Sequence, residues 1–279
     1  MYAKYWNLRE KPFENTPNPH FLYSSQRHGE ALSRMLYVVK ERKGGAVFTG
    51  EYGSGKTLLC RVLLEELSNE EYQTVLIFNP ILSTLQILKE IIYQLSGNFP
   101  SLSNKAKLLH YLKEALDRND KESKNTVIVI DEAQAIKEKD SFEELRLLLN
   151  FQLNDRFLLT LILLGQPELR EKINKLPQLK QRLAVRYHLN GLPEDETRNY
   201  ILHRLKIAGA AGEIFQENAF SEIHRFSGGI PRRINNICDM ALLVGYGDEV
   251  KRINKDLITE VAEDLGETPV ETAQAAAGV

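Results

Sequence analysis

The sequence predicts an α/β fold in which a parallel sheet lies between two layers of helices, followed by a small all-helical domain. In the first part of the 279-residue chain, short apolar segments typical of buried strands alternate with amphipathic helical segments. From Gly191 onward, strand-like segments stop and only helical periodicity remains. We therefore expect an N-terminal strap (residues 1–25), a sheet domain (26–190), a helical lid domain (191–265) and a flexible tail (266–279).

The composition is that of a folded protein rather than a disordered one. Hydrophobic residues make up 43% and charged residues 27% of the chain. The net charge of −2 does not indicate nucleic-acid binding, although a local basic patch is compatible with it. Cys60 and Cys238 lie far apart and form no metal-binding spacing. The longest apolar run, residues 157–164, is too short to span a bilayer, so we expect a cytoplasmic chain with no direct membrane span.

The N-terminal strap is rich in aromatic residues and proline, which predicts extended backbone rather than helix. Its aromatic side chains need a buried environment. Two interpretations stay open: the strap packs against the following domain, or one of its rings, Phe13 or Tyr23, forms a wall of the cofactor pocket. A helix is predicted next, over residues 26–43.

A glycine-rich loop follows the first predicted strand, residues 45–49, and opens a helix predicted over residues 58–67. Residues 50–57 have the sequence G-E-Y-G-S-G-K-T, which matches the phosphate-binding pattern G-x-x-x-x-G-K-T. Backbone N–H groups and the positive end of the helix converge there, and both attract phosphate. We expect Lys56 to contact the β- and γ-phosphates of a nucleotide and Thr57 to bind Mg²⁺. The other candidate nucleotide contacts are Gly50, Glu51, Tyr52, Gly53, Ser54, Gly55 and Leu58.

Two carboxylates end the next strongly apolar strand. A strand over residues 73–78, helices over 85–95 and 105–116, and a charged loop over 117–125 precede it. Residues 126–130, Thr-Val-Ile-Val-Ile, are typical of a strand buried on both faces. Carboxylates beside a buried strand are costly unless they have a role. We expect Asp131 to hold Mg²⁺ and Glu132 to orient or deprotonate an attacking water.

A polar residue after a further apolar strand is another candidate for the nucleotide site. After a helix over residues 142–151, a strand over 157–164 is followed by Gln166. This side chain either contacts the γ-phosphate or water, or caps the helix that begins at Pro167.

A short helix over residues 177–183 and a strand over 184–189 come next. Arg182 and Arg186 lie there, each either a surface charge or a residue inserted into the ATP site of a neighbouring subunit.

The helical lid domain is predicted to contain four helices. Acidic residues in the first turn mark the start of the first one, near Glu194. The second covers residues 217–226 and ends at a Ser-Gly-Gly break. The third runs from about Pro231 to Tyr246, and the fourth covers residues 255–265.

The order of these motifs resembles that of AAA+ ATPases, a class of P-loop NTPases, and more narrowly that of the secretion-associated ATPases of the ExeA/GspA family, which has relatives in type IV pilus (MSHA-type) assembly and exosortase-linked loci. The resemblance covers nearly the whole chain and is specific as a set. The segments that carry it are residues 12–13, 17–23, 49–51, 131–134, 164–169, 181–182, 185–189, 227–232 and 234–236.

The resemblance implies ATPase activity with ATP and Mg²⁺ as cofactors. In this chain it assigns phosphate binding to Lys56, Mg²⁺ binding to Thr57 and Asp131, and the catalytic base to Glu132. It places Gln166 at the first sensor position, where most AAA+ proteins have Asn or Thr.

The resemblance also implies two arginine roles. Arg182 matches the arginine finger that acts on a neighbouring subunit, and Arg232 matches the second sensor that reaches the γ-phosphate. Arg233 would take the second role if the alignment shifts by one residue.

At the level of the whole protein, the resemblance implies a ring or filament of identical, hexamer-like subunits that drives assembly or remodelling of a secretion, pilus or exopolysaccharide-type envelope system. An envelope protein partner and peripheral attachment to the inner membrane through that partner would follow. Secretion members continue after the ATPase into a transmembrane helix and a peptidoglycan-binding part. We therefore expect this sequence to be either a stand-alone cytoplasmic relative, as in the pilus and exosortase groups, or a piece of a longer protein. Two alternatives remain: a DNA-associated regulator of the TniB transposition type, and a switch that binds ATP but barely hydrolyses it.

Overall fold

The computed structural model describes residues 1–101 and 104–270, and these fall into two compact units. One unit, called the sheet unit, comprises residues 28–50 and 56–189. The other, called the helical unit, comprises residues 1–27, residues 51–55 and the described residues from 190 to 270. The predicted tail residues 271–279 lie outside the described residues.

The sheet unit is built on five parallel strands in the order β2-β3-β4-β1-β5. Neighbouring strands pair residue by residue. Phe48 of β1, for example, is paired with Leu164 of β4 on one side and with Tyr187 of β5 on the other. The strands are β1 (Gly45–Gly50), β2 (Tyr72–Ile77), β3 (Asn125–Ile130), β4 (Leu159–Gly165) and β5 (Leu183–Leu189).

In this unit one α-helix precedes β1, and further helices connect the strands, as parallel pairing requires. They are α2 (Gln26–Lys40), α3 (Lys56–Glu66), α4 (Thr84–Ser96), α5 (Lys105–Lys121), α6 (Lys139–Leu148), α7 (Pro167–Asn174) and α8 (Pro177–Arg182). The numbering starts at α2 because the short helix α1 (Tyr2–Tyr5) precedes them in the helical unit.

Strand residues divide alternately between two apolar cores, which gives the unit its three layers. Val47 and Ile128 face the core that contains side chains of α4 to α8. Phe48 and Val129 face the core that contains side chains of α2 and α3. β1, β3 and β4 are buried along their whole length, as continuous apolar runs predict. The predicted three-layer α/β fold with a parallel sheet is confirmed.

Helix α5 extends further than the sequence predicts. Residues 117–121 continue the helix, although their charge predicted a loop. Asp120 accepts hydrogen bonds from Arg42 and Arg156, at 3.0 and 3.1 Å to one carboxylate oxygen, and Asn119 donates to Thr126 at 2.9 Å. These hydrogen bonds satisfy the polar side chains of the last turn of α5, so this turn stays helical and packs against the rest of the sheet unit.

In its described residues, the helical unit contains α1 and four longer α-helices, which pack around one apolar core. The helices are α9 (Glu194–Ile207), α10 (Glu217–Ser227), α11 (Pro231–Gly247) and α12 (Lys255–Asp264). None of the helices that the structure describes is long and apolar enough to cross a membrane.

The N-terminal strap packs into this core. Trp6 donates from its indole nitrogen to the carbonyl of Leu242 at 2.9 Å, and Phe13 is 1% exposed, edge-on to Phe215. Phe13 is therefore a core residue of the helical unit. The prediction that the strap lacks helix is wrong at its start, because α1 precedes the first proline, Pro12, and nothing there forbids helical backbone.

Candidate functional site

The glycine loop joins the carboxyl end of β1 to the first turn of α3. Gly53 and Gly55 have φ angles of +81° and +100°, which residues with a side chain rarely adopt. A Cβ atom on Gly53 would also lie 2.4 Å from that of Arg232. Ser54 donates its backbone N–H to the carbonyl of Glu51 at 3.1 Å and closes the turn. The loop conformation therefore depends on glycine at both positions.

In the sheet unit, the first turn of α3 presents a cation and a hydroxyl. Lys56 is 5% exposed, and its Nζ donates to the carbonyl of Gly50 at 2.7 Å. The Thr57 hydroxyl donates to Oδ2 of Asp131 at 2.7 Å, across the gap between α3 and the end of β3. Leu58 is the next residue of the same turn.

Asp131 is a buried carboxylate that lies beside the Thr57 hydroxyl. Burial raises its pKa, and hydrogen bonds from the Thr57 hydroxyl and the Glu132 N–H act in the opposite direction. A hydroxyl and a carboxylate so close together are ligands that suit Mg²⁺, which in such sites also keeps waters and phosphate oxygens. A bound cation would compensate the desolvation of Asp131, so these residues fit a magnesium nucleotide.

Glu132 is held in an unusual conformation directly after β3. Its φ of +52° lies in the left-handed region, which is uncommon for a residue with a side chain. Its Oε2 accepts a hydrogen bond from the Gln134 amide and a second, at 3.3 Å, from the Gln166 amide. The backbone turn and the two amides together fix the direction of this carboxylate.

Gln166 lies at the end of β4 and contacts Glu132 rather than its own helix. It occupies the N-cap position of α7, but its side chain makes no capping hydrogen bond there. Because β3 and β4 are neighbours in the sheet, the residues that follow their carboxyl ends meet. The geometry thus favours the interpretation in which Gln166 belongs to the site.

Two contributors were missed by the sequence reasoning. Gln134 accepts the backbone N–H of Gln166 at 3.0 Å while its amide donates to Glu132, so it bridges the two. Lys172 of α7 donates to the carbonyls of Gln134 and Ile136, at 2.6 and 2.8 Å, and holds that turn in place. Gln134 stands within a motif that the resemblance marks, but nothing in the pattern indicated its role.

The two arginines near β5 differ in their surroundings. Arg182, the last residue of α8, donates to the carbonyl of Leu149 at 3.2 Å and to the Asn150 side chain at 2.9 Å. Arg186 is exposed on β5. Both lie in the sheet unit, and neither shares a hydrogen bond with Glu132 in the described part of the chain.

In the helical unit, Arg232 lies against the glycine loop. Its backbone N–H donates to the carbonyl of Gly53 at 3.2 Å, and its guanidinium lies 4.7 Å from the centre of the Tyr52 ring. Arg233 instead forms an ion pair with Glu267. Of the two candidates for the second sensor, Arg232 is the one that contacts the loop.

A parallel sheet in this strand order, with a phosphate loop after β1, acidic residues after β3 and a polar residue after β4, defines a P-loop NTPase of the AAA+ type. Residues 39–173 match the family described as AAA domain. The chain therefore carries an AAA domain and has the AAA+ P-loop NTPase fold.

Within that class, the chain is similar to General secretion pathway protein A of Aeromonas hydrophila. The two are 38% identical over 248 residues, which are 88% of this chain and 45% of that protein. The chain thus spans less than half the length of this curated relative. The predicted resemblance to the ExeA/GspA family is confirmed.

Solved structures share the fold at low sequence identity. Drosophila ORC bound to DNA has a TM-score of 0.71 at 16% identity, over 96% of this chain and 67% of that one. Cdc6p from Pyrobaculum aerophilum has a TM-score of 0.68 at 18% identity, over 88% and 70%. The Thermotoga maritima RuvB branch migration motor has a TM-score of 0.57 at 19% identity, over 87% and 70%.

Proposed function

We propose that this protein binds ATP with Mg²⁺ and hydrolyses it, and that it works as a ring or filament of identical subunits to drive assembly or remodelling in a secretion, pilus or exopolysaccharide-type envelope system. The single observation that carries the enzymatic part is the hydrogen bond between Thr57 and Asp131, next to the Glu132 carboxylate that two amides orient. The similarity to a general secretion pathway protein supports the cellular part.

The residues of the site divide the work of phosphoryl transfer to water. The loop from Gly50 to Leu58 binds phosphate through its backbone N–H groups, and Lys56 adds a positive charge. Thr57 and Asp131 hold Mg²⁺, which when bound neutralises charge on the phosphates. Glu132 accepts a proton from the attacking water, and Gln166 orients that carboxylate.

We expect Lys56→Ala to abolish ATP binding, because the buried ammonium is the cation that the loop offers to phosphate. Glu132→Gln keeps the shape of the side chain but cannot take a proton. We expect it to bind ATP like the wild type and to lower kcat by about 10²–10⁴-fold. Binding of a fluorescent ATP analogue and steady-state phosphate release measure the two effects.

Exposed residues of the same unit provide matched controls: Lys40→Ala for Lys56 and Glu138→Gln for Glu132. Nucleotide affinity retained by Lys56→Ala would show that the loop is not the binding site. A wild type as slow as Glu132→Gln would leave a nucleotide switch instead of an enzyme.

We propose that Arg182 acts on the ATP site of a neighbouring subunit. Arg182→Ala should leave ATP affinity nearly unchanged and cut turnover by about 10³-fold or more, since a finger acts mainly in the transition state. Asn150→Ala is the matched control, because it removes a partner of Arg182 within the chain while keeping the guanidinium.

Mixing two inactive variants tests action between subunits directly. A Lys56→Ala subunit has an intact Arg182, and an Arg182→Ala subunit has an intact ATP site, so mixed assemblies should recover part of the turnover. No recovery, or full activity of Arg182→Ala alone, would make Arg182 a structural residue, and Arg186 would be tested next.

Arg232 is proposed as the second sensor, which contacts the γ-phosphate. Its contacts with Gly53 and Tyr52 support this role. Arg232→Ala should raise the dissociation constant for ATP more than that for ADP, which titration of both nucleotides measures. Equal weakening of ATP and ADP binding would limit its role to holding the loop.

The proposed partners are other copies of this chain and an envelope-assembly protein, with a cytoplasmic location and attachment to the inner membrane through that partner. The DNA-associated alternative of the TniB type makes a different prediction, since phosphate contacts weaken steeply with salt. A gel shift of duplex DNA at low salt, with ATP present, that disappears at higher salt would favour that alternative. No shift under these conditions removes it.

A further inference from the structure

A basic groove runs along the outer side of β5, in the sheet unit, with a volume of about 660 Å³. Five consecutive residues of β5, 184–188, line it, together with residues of α2, α7, α8 and β1. None of Lys56, Thr57, Asp131 or Glu132 is among the lining residues. The groove is therefore separate from the proposed catalytic residues.

The charge of the groove is one-sided. Four cations line it, Arg34, Arg170, Lys180 and Arg186, and no carboxylate does. Arg34 pairs with Glu30 and lies over the Tyr187 ring. The other three cations make no side-chain hydrogen bond or ion pair to any residue in the described part of the chain. They are available to an anionic group from outside the chain.

The groove follows a strand edge rather than one face of the sheet. Successive residues of a strand point to opposite faces, yet all of residues 184–188 line the groove. Among the described strands, β5 pairs only with β1, so its outer N–H and C=O groups have no strand partner. An unpaired edge of this kind is a template for an additional strand.

Cations lie on both faces of this edge. Arg186 is in register with Val47, whose side chain shares an apolar core with those of α7 and α8, the helices that carry Arg170 and Lys180. Arg34 belongs to α2, which packs on the opposite face. A strand added beside β5 would alternate its side chains between the two faces. It would place acidic residues on one face against Arg170, Lys180 and Arg186, the cations left unpaired among the described residues.

We propose that this groove binds an extended acidic segment of a partner protein, which pairs with β5 as a sixth strand of the sheet. The backbone edge provides the main-chain hydrogen bonds, and the cations select for Asp and Glu. A nucleic-acid strand matches the charge, but it lacks the repeating N–H and C=O groups that the edge of β5 would pair with.

The test uses fluorescence anisotropy with a fluorescein-labelled peptide of alternating glutamate and valine, without nucleotide. The full chain should bind it, and the double variant Arg170→Glu/Lys180→Glu should bind at least ~10-fold more weakly, since like charges then face the peptide. The matched control Lys175→Glu reverses an exposed charge that does not line the groove and should leave binding unchanged. Circular dichroism verifies that the variants fold.

A second peptide separates strand pairing from simple charge attraction. N-methylation at alternate residues removes backbone donors while keeping every carboxylate, and it should weaken binding by ~10-fold. Equal binding of both peptides, equal binding to the double variant, or tighter binding of a short oligothymidylate that depends on the same cations would each overturn the proposal. Because no nucleotide is present, the outcome is independent of the proposed ATPase activity.

Discussion

Glu132 has two amide donors on a single carboxylate oxygen, and this leaves the other oxygen to receive a proton. Gln134 and Gln166 both donate to Oε2. Gly165 leaves the space that Gln134 needs, because a Cβ there would lie 2.6 Å from the Gln134 side-chain oxygen. The direction of the Glu132 carboxylate thus depends on Gln134. The side-chain hydrogen bonds of Gln134 go to Glu132 and Gln166 and not to the predicted phosphate loop.

Gln134→Leu should therefore impair the chemical step rather than ATP binding. Without the bridge to Gln166, the Glu132 carboxylate loses its fixed direction, and we expect kcat to fall by about 10-fold or more with KM for ATP nearly unchanged.

Gln178→Leu, an exposed glutamine of α8, is the control for side-chain loss. If Gln134→Leu turned over ATP at the rate of the wild type or faster, Gln134 would not be a positioning residue. If KM rose in parallel with the fall in kcat, the defect would lie in folding or in nucleotide binding.

The sequence was sufficient to bring Thr57, Asp131 and Glu132 to one end of the sheet, since each follows a motif whose backbone is predictable. It was not sufficient for Gln134 and Lys172. Their contacts require β3 and β4 to be adjacent and Glu132 to adopt a left-handed φ, and neither property has a local signal. The roles of such residues are set by contacts between elements that are distant in the sequence.

Among the elements, the part of the N-terminal strap that follows α1 shows how backbone outside the α-helices becomes fixed. Arg204 of α9 is 6% exposed and donates to the strap carbonyls of Pro12, at 2.5 Å, and Glu14, at 3.1 Å. It also donates to the Tyr200 hydroxyl at 2.7 Å and lies 4.8 Å from the Phe21 ring centre. Carbonyl dipoles and ring faces replace the water that this buried cation has lost.

Arg204→Leu should destabilise the helical unit by ~3–5 kcal/mol, because the substitution leaves two strap carbonyls and a buried hydroxyl without their donor. Trp6, the only tryptophan of the chain, is buried in that unit, so its fluorescence during urea unfolding reports the effect. Arg198→Leu is the control on the same helix, since Arg198 pairs with Glu217 at the surface and its loss should cost ~0–1 kcal/mol. Equal midpoints for the two variants would show that the strap is held by its aromatic residues alone.

Sequence periodicity predicted the strands and most helices, because buried strands and amphipathic helices have patterns of their own. It failed where polar residues found tertiary partners. The charged residues of the last turn of α5 predicted a loop. In the structure Asp120 pairs with Arg42 and Arg156, and the turn is helical. The sequence around Arg204 likewise does not distinguish it from a surface arginine, since the strap carbonyls that it binds lie about 190 residues earlier in the chain.

At the scale of the whole molecule, two histidines of the helical unit oppose folding when they ionise. Burial lowers the pKa of His203 and of His224, both in the helical unit, and the His224 ring shares a hydrogen bond of 3.0 Å with Thr197. In the unfolded chain each takes up a proton near the ordinary pKa of about 6.5. The unfolded state therefore binds protons first as the pH falls, and stability is full above pH ~6.5 and decreases below it.

We accordingly expect the Trp6-detected urea midpoint to be constant from pH 8 to about 7 and to fall between about pH 6.5 and 5.5. Salt-bridged carboxylates such as Glu222, whose pKa is lowered by Arg225, contribute only at lower pH, because their loss begins below the ordinary glutamate pKa. The double variant His203→Gln/His224→Gln should flatten the curve in the higher window, whereas His110→Gln, an exposed histidine of the sheet unit, should not. A midpoint that rises as the pH drops, or a double variant with the same slope as the wild type, would contradict this account. Protonation of these two histidines would then not be the cause of the lower stability at acid pH.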